Sequence, residues 1–157
     1  MHKLFNELVG KAMWACRRGA DMATFQFGER RRVNDFYGRD TEVGEYALHV
    51  QCPWRIVRDD VVAVGSGDLY YPASYSVGDR IPEDFDWEQN ANRRDTLIEN
   101  FFERGNQKFT VSSVELGVGG RCRIDFAEGP YLEIFPDDSL THEHWRLFST
   151  STQSLVP

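Results

Sequence analysis

Alternation with a period of two is the pattern that most narrows what this chain can become. In the stretch 45–58, Tyr46, Leu48 and Val50 point one way and Ala47, His49 and Gln51 the other, until Pro53 interrupts the ladder at a bulge or edge. Phe25 and Phe27 alternate with Thr24 and Gln26, and Gly19-Ala20-Asp21 separates them from the run 11–18, which predicts a β-hairpin. Asp59-Asp60 turns the chain into a short apolar strand over 61–64. Further along, 108–116, 121–128 and 131–135 read as consecutive strands joined at Gly117-Val118-Gly119-Gly120 and Gly129-Pro130, with a last strand over 144–148.

Helical spacing is confined to two places. Leu4, Phe5, Leu8 and Val9 define a helix near 3–9, and Leu97, Ile98, Phe101 and Phe102 define one over 95–104 with Asp95 as its cap. Residues 29–44 read as loop, and 65–94 as a long Gly-, Pro- and acid-rich connection. The halves look alike: Tyr46 to Val50 followed by Trp54-Arg55-Ile56 parallels Tyr131 to Phe135 followed by Trp145-Arg146-Leu147. The expectation is one α+β domain over 1–148, mainly an antiparallel sheet or pseudo-barrel from two helix-plus-meander repeats. The repeats would cover about 1–64 and 95–148, joined by the loop 65–94, and 149–157 would be a flexible C-terminal tail.

Charge restricts the partners. Over 157 residues, 18 basic and 25 acidic side chains leave a formal charge of -7. Residues 1–78 hold ten of each, whereas 79–157 hold eight basic and fifteen acidic, so the excess lies entirely in the second half. That half would attract a basic protein, and nucleic acid and anionic membrane surfaces are disfavoured as partners despite Arg30-Arg31-Arg32. No stretch approaches 18 apolar residues and the N-terminus lacks a signal-type run, which predicts a cytoplasmic protein. Cys16, Cys52 and Cys122 are isolated, as expected of buried free thiols.

Few residues offer chemistry. His142 and His144 share a strand face and Asp137 or Asp138 can add an oxygen, but no third ligand has diagnostic spacing, so no metal and no cofactor are expected. His49 and Cys52 have the composition of a base and nucleophile, yet an offset of three separates their faces unless Pro53 makes a bulge. With Trp54, Arg55 and Asp68 they form the alternative reading, a small-molecule pocket or hydrolase site. Gly65-Ser66-Gly67 reads as a turn, since it lacks the frame of a phosphate loop or a nucleophile elbow. The favoured binding residues are Asp68 and Tyr70 with the acidic, aromatic run Asp84, Phe85, Asp86, Trp87 and Glu88, where carboxylates steer and aromatic rings anchor. No catalytic residue stands out.

Several phrases, among them Leu48-His49-Val50-Gln51-Cys52-Pro53-Trp54-Arg55-Ile56 and Phe135-Pro136-Asp137-Asp138-Ser139 followed by Glu143-His144-Trp145-Arg146-Leu147-Phe148, resemble a family of small uncharacterised bacterial proteins common in actinobacteria. The resemblance spans nearly the whole chain and brings no activity with it. Genes of this type often lie near toxin systems, so it implies a non-enzymatic, immunity-like binding module with a protein partner; a homodimer with a second copy of the chain is a separate expectation.

Overall fold

A computed structural model describes residues 2–150. Helix α1 (His2–Leu8) leads into the hairpin β1 (Ala12–Gly19) and β2 (Met22–Phe27), then β3 (Arg31–Asn34), β4 (Asp40–Val43), β5 (Tyr46–Val50), β6 (Trp54–Arg58) and β7 (Val61–Gly65). A 3-10 turn (Ser66–Tyr70) and a long arm precede α2 (Arg93–Phe101), after which come β8 (Phe109–Leu116), β9 (Cys122–Phe126), β10 (Tyr131–Ile134) and β11 (Trp145–Ser149). Nine strands form one sheet in the order β11-β5-β2-β1-β8-β9-β10-β6-β7, and β3-β4 is a separate pair. Every pairing is antiparallel.

This order overturns the expected α+β fold of two helix-plus-meander repeats. Each half gives away the strand that would complete its meander: β8, β9 and β10 are neighbours in sequence and in the sheet, but the strand that follows them is not beside β10. The strand opened by Trp54 leaves its half to pair with β10, where Trp54 lies opposite Ile134. The strand opened by Trp145 crosses the other way and pairs with β5, Trp145 opposite Val50. The pseudo-barrel is corrected as well, because the sheet stays open, with β11 and β7 as unpaired ends of the order. The result is a predominantly antiparallel β protein with α1 and α2 as its only α-helices among the described residues.

Chain connectivity forces that open sheet to fold over. Strands β5 and β6 stand six places apart in the order, about 29 Å in a flat sheet at the usual strand spacing. The chain from Val50 to Trp54 can span only about 14 Å. The sheet therefore curls until its halves face each other, and the core lies between them: Met13, Phe25, Phe27, Leu48 and Val50 from one side meet Trp54, Ile56, Ile124, Leu132 and Ile134 from the other. Helix α1 adds Phe5, edge-on to Trp145 at 5.4 Å, and β8 adds Phe109, stacked on Phe101 of α2 at 4.3 Å.

Local expectations fare unevenly. The hairpin turn at Ala20-Asp21 forms with Ala20 at φ 51°, and Asp59-Asp60 form the next turn with φ of 52° and 61°, the left-handed pair that a two-residue hairpin needs. Residues 29–44 are not loop, because β3 and β4 form a hairpin there. Its turn is held by the Asp35 carboxylate, which accepts hydrogen bonds from the amides of Tyr37 and Arg39, each at 2.9 Å. Helix α2 starts two residues before Asp95, capped instead by Asn92, whose side chain accepts from the Asp95 amide at 2.8 Å. Of the expected tail, Ser149 belongs to β11 and the Thr150 hydroxyl donates to the Gly44 carbonyl at 2.6 Å, while residues 151–157 lie outside the described residues. Among the described residues no helix is long and apolar enough to cross a membrane.

Candidate functional site

The acidic run belongs to an arm that is closed at its base. Arg93 donates its amide to the Tyr71 carbonyl at 2.8 Å, Ala73 donates to Ala91 at 2.9 Å, and Pro72 bridges Asn92. Beyond this neck the chain is folded by side-chain turns: Asp79 accepts from the Ser76 amide, Asp86 from the Glu88 amide, and Asn90 from the Asp86 amide, each at 2.9 Å. Between Tyr71 and Asn92 there are five carboxylates and one arginine. Asp79, Glu83, Asp84, Asp86 and Glu88 are all exposed. Glu83 meets Arg80 at 3.4 Å on the surface, where screening leaves such a pair weak.

Phe85 and Trp87 of the arm are half-buried. Trp87 leans on the body of the protein, with the Arg18 guanidinium 5.4 Å from its ring and Tyr70 edge-on at 6.2 Å. Asp68 has a holding role: its carboxylate accepts from the Gly65 amide at 2.8 Å and meets Arg93 Nε at 3.3 Å, tying the 3-10 turn to α2. Tyr70 is exposed and marks the border between the arm and a cavity beneath it.

That cavity, of about 250 Å³, lies where the β5–β6 connection faces the 3-10 turn, and its lining includes Cys52, Trp54, Ser66, Gly67, Tyr70 and Arg94. Cys52 and Trp54 of the alternative pocket are thus together, but His49 and Arg55 are elsewhere. His49 lines a second cavity of about 240 Å³ under the β3–β4 hairpin, edge-on to Phe148 at 4.7 Å. Arg55 is exposed and paired with Glu133 at 2.9 Å. The expected base, His49, therefore does not share the cavity with Cys52, and burial pushes the Cys52 thiol up to about 11, so it is protonated at neutral pH and a poor nucleophile.

Sequence reading missed Arg94 altogether. Beside Arg93 it has the pattern of a solvated basic pair, yet Arg93 reaches Asp68 at the surface while Arg94 is 2% exposed. Its Nη1 donates to the Asp21 carbonyl at 3.2 Å, its Nε is buried without a hydrogen-bond partner, and its guanidinium is 5.8 Å from the Trp54 ring centroid. The only local signal was the cap, Asn92 followed three residues later by Asp95.

A third cluster lies on the loop before β11. Asp138, His142 and His144 bring one ligand atom each to within 4.8 Å of one another. His142 Nε2 is 3.3 Å and His144 Nε2 4.0 Å from the Asp138 carboxylate. The Glu143 carbonyl, followed by Asp138, raises the affinity of His142 for its proton. Three such ligands can hold a divalent cation with an open coordination position. Of the two carboxylates that the sequence offered as an oxygen ligand, Asp137 and Asp138, it is Asp138 that joins the histidines, and it reaches them through a loop rather than along the strand.

An open antiparallel β protein with an acidic arm, a buried-arginine cavity and a surface His-Asp cluster is the class that fold and site define. No family model, no curated protein and no solved structure matches the chain.

Proposed function

We propose that the protein is a non-enzymatic binding module of the cytoplasm whose acidic arm docks on a basic protein surface. The observation that carries this reading is the arm itself: a closed neck presenting five exposed carboxylates against one arginine, with Phe85 and Trp87 half-exposed among them. Carboxylates at that density raise the rate of encounter with a basic surface, and rings that lose water on contact lengthen the complex's life. In the immunity-like form implied by the family resemblance, the partner is a basic toxic enzyme that the arm covers.

A photo-crosslinking residue at position 84, used in the native host, captures what the arm touches, and the captured protein is then purified and titrated. The reading expects a basic protein whose association slows and loses salt dependence in the Asp84→Asn, Glu88→Gln variant, and whose dissociation speeds up in Trp87→Ala by about tenfold or more if the ring is a hot spot. Binding indifferent to salt and to both variants would refute it. Cross-linking only to a second copy would replace the basic partner by a homodimer.

A further inference from the structure

Arg94 carries three features that each cost stability in a chain with nothing bound. It is 2% exposed, and taking a guanidinium out of water without a counter-ion is among the most unfavourable placements a side chain can have. No carboxylate pairs with it among the described residues: the nearest acidic neighbour in sequence, Asp95, is engaged by Arg18 at 3.2 Å and by the Asn92 amide group at 2.9 Å. It also occupies the first turn of α2, the positive end of that helix, where a cation is disfavoured. Burial is accordingly the main influence lowering its hold on the proton, ahead of the compensating fields of Cys16, Asp95 and Tyr70.

A second observation gives the placement a purpose. Arg94 lines a cavity of about 250 Å³, whose rim also carries the exposed Asp21, and keeps a buried Nε without a partner. Two further lining groups suit a small polar ligand. Ser66 Oγ accepts from the Trp54 amide at 3.1 Å, which leaves its own hydroxyl hydrogen to donate. Gly67 would meet nothing within 4 Å if it bore a Cβ, so the approach on that side is clear. The Trp54 ring and the protonated Cys52 thiol supply the apolar wall.

We propose that this cavity binds a small organic carboxylate, with Arg94 as the buried counter-ion and the Ser66 hydroxyl as a second donor. One buried positive charge is matched by one negative charge, which favours a monocarboxylate over a phosphate dianion, and the planar guanidinium fits a carboxylate in the same plane. The volume lies below that of sites for drug-sized ligands, so the ligand is a small molecule of metabolite size. The proposal does not rest on the docking role of the arm. It makes the protein a receptor for a small acid whatever its macromolecular partner.

The test uses the full chain labelled with nitrogen-15 and titrated with sodium acetate, sodium benzoate and inorganic phosphate at constant ionic strength set with chloride. Expected are saturable shifts of the Ser66 and Gly67 amides and the Trp54 indole with a carboxylate, and weaker ones with phosphate. Arg94→Met should weaken carboxylate binding by about tenfold or more and leave the unfolding midpoint of the unliganded protein unchanged or higher, since it removes an unpaired buried charge. Gly67→Val, at a position without a left-handed φ, should block binding while leaving Arg94 in place. Absence of saturable shifts with either carboxylate, or binding undiminished in both variants, would overturn the proposal. Tighter binding of phosphate than of both acids would overturn the carboxylate assignment.

Discussion

Phe25 on β2 meets Trp54 on β6 edge to face, with ring centroids 5.1 Å apart and planes at 87°. The two strands lie five places apart in the sheet order, so this contact exists only because the sheet folds onto itself. It also backs the cavity, since Trp54 presents one part to Phe25 and another to Arg94. Phe25→Ala removes a fully buried ring from the seam and should cost about 3 kcal/mol or more. Urea unfolding followed by tryptophan fluorescence measures it, and a loss below about 1 kcal/mol would mean that the halves are held together elsewhere.

Gly44 is fixed by proximity rather than by an unusual backbone angle. A Cβ there would collide with the Phe27 carbonyl oxygen and stand 2.7 Å from the Phe27 nitrogen, and backbone cannot swing aside as a side chain can. The Gly44 amide also donates to the buried Gln26 side chain at 2.9 Å. Gly44→Ala should therefore destabilise by about 2 kcal/mol or more, whereas Gly38→Ala, in open space with φ 76°, should cost only the backbone penalty of about 1 kcal/mol. Equal midpoints for the two variants would contradict the close approach.

What the sequence made legible was local. Alternation in Phe25-Gln26-Phe27 and in Leu132-Glu133-Ile134 was enough to find β2 and β10, because apolar residues at every second position mark the core-facing side of a strand, even in β2 where Gln26 on the other side is itself covered. The β3–β4 hairpin escaped because Arg31-Arg32 and Asp40-Thr41-Glu42 are polar on both faces, and of its strand residues Val33 and Val43 are the apolar ones that line the cavity below, beside Arg31. The exchange of β6 and β11 between halves was hidden for a different reason: a strand's pattern shows which face is buried and says nothing about which edge it joins. Arg94 was illegible for the same cause. Its burial depends on the β5–β6 connection and the 3-10 turn, both distant in sequence.

The buried thiols are expected to be inert. Burial pushes Cys52 up to about 11 and Cys122 up to about 12 from an ordinary 9.0. A raised value means that the folded state keeps its protons longer than the unfolded one, so the contribution to stability is complete below about 9 and is lost as the pH rises from there toward 11 to 12. Iodoacetamide at pH 8 should leave both residues unmodified in the folded protein and label both in urea. Rapid alkylation of Cys52 alone under native conditions would revive the nucleophile reading.

The cluster of Asp138, His142 and His144 should not retain metal through purification. Asp138 and His142 are exposed, the His144 Nδ1 is buried with no hydrogen-bond partner to fix its ring, and ligands without such outer support bind weakly. Dialysed protein should show well below one equivalent of zinc by elemental analysis. About one equivalent retained, and lost in His142→Ala, would mean a true metal centre and return hydrolytic chemistry to consideration.

Asn92 joins the arm to the body, and its removal should separate stability from docking. Its side-chain oxygen caps α2 through the Asp95 amide at 2.8 Å, while its Nδ2 donates to the Trp87 carbonyl at 3.1 Å and to the Asp95 carboxylate at 2.9 Å, all at 1% exposure. Asn92→Ala deletes the cap and leaves the Trp87 carbonyl without that donor, a combined loss of about 1 to 3 kcal/mol. Asn92→Asp keeps the acceptor for the cap but places a second carboxylate beside Asp95 and cannot donate to Trp87. In both variants hydrogen exchange should rise at Trp87 to Ala91, and limited proteolysis should cut inside the arm before the body unfolds. In Asn92→Asp the first turn of α2 should remain more protected than in Asn92→Ala. If exchange increases uniformly over the sheet and the arm instead, the neck and the core unfold as one unit, and the arm has no independent freedom with which to adapt to a partner.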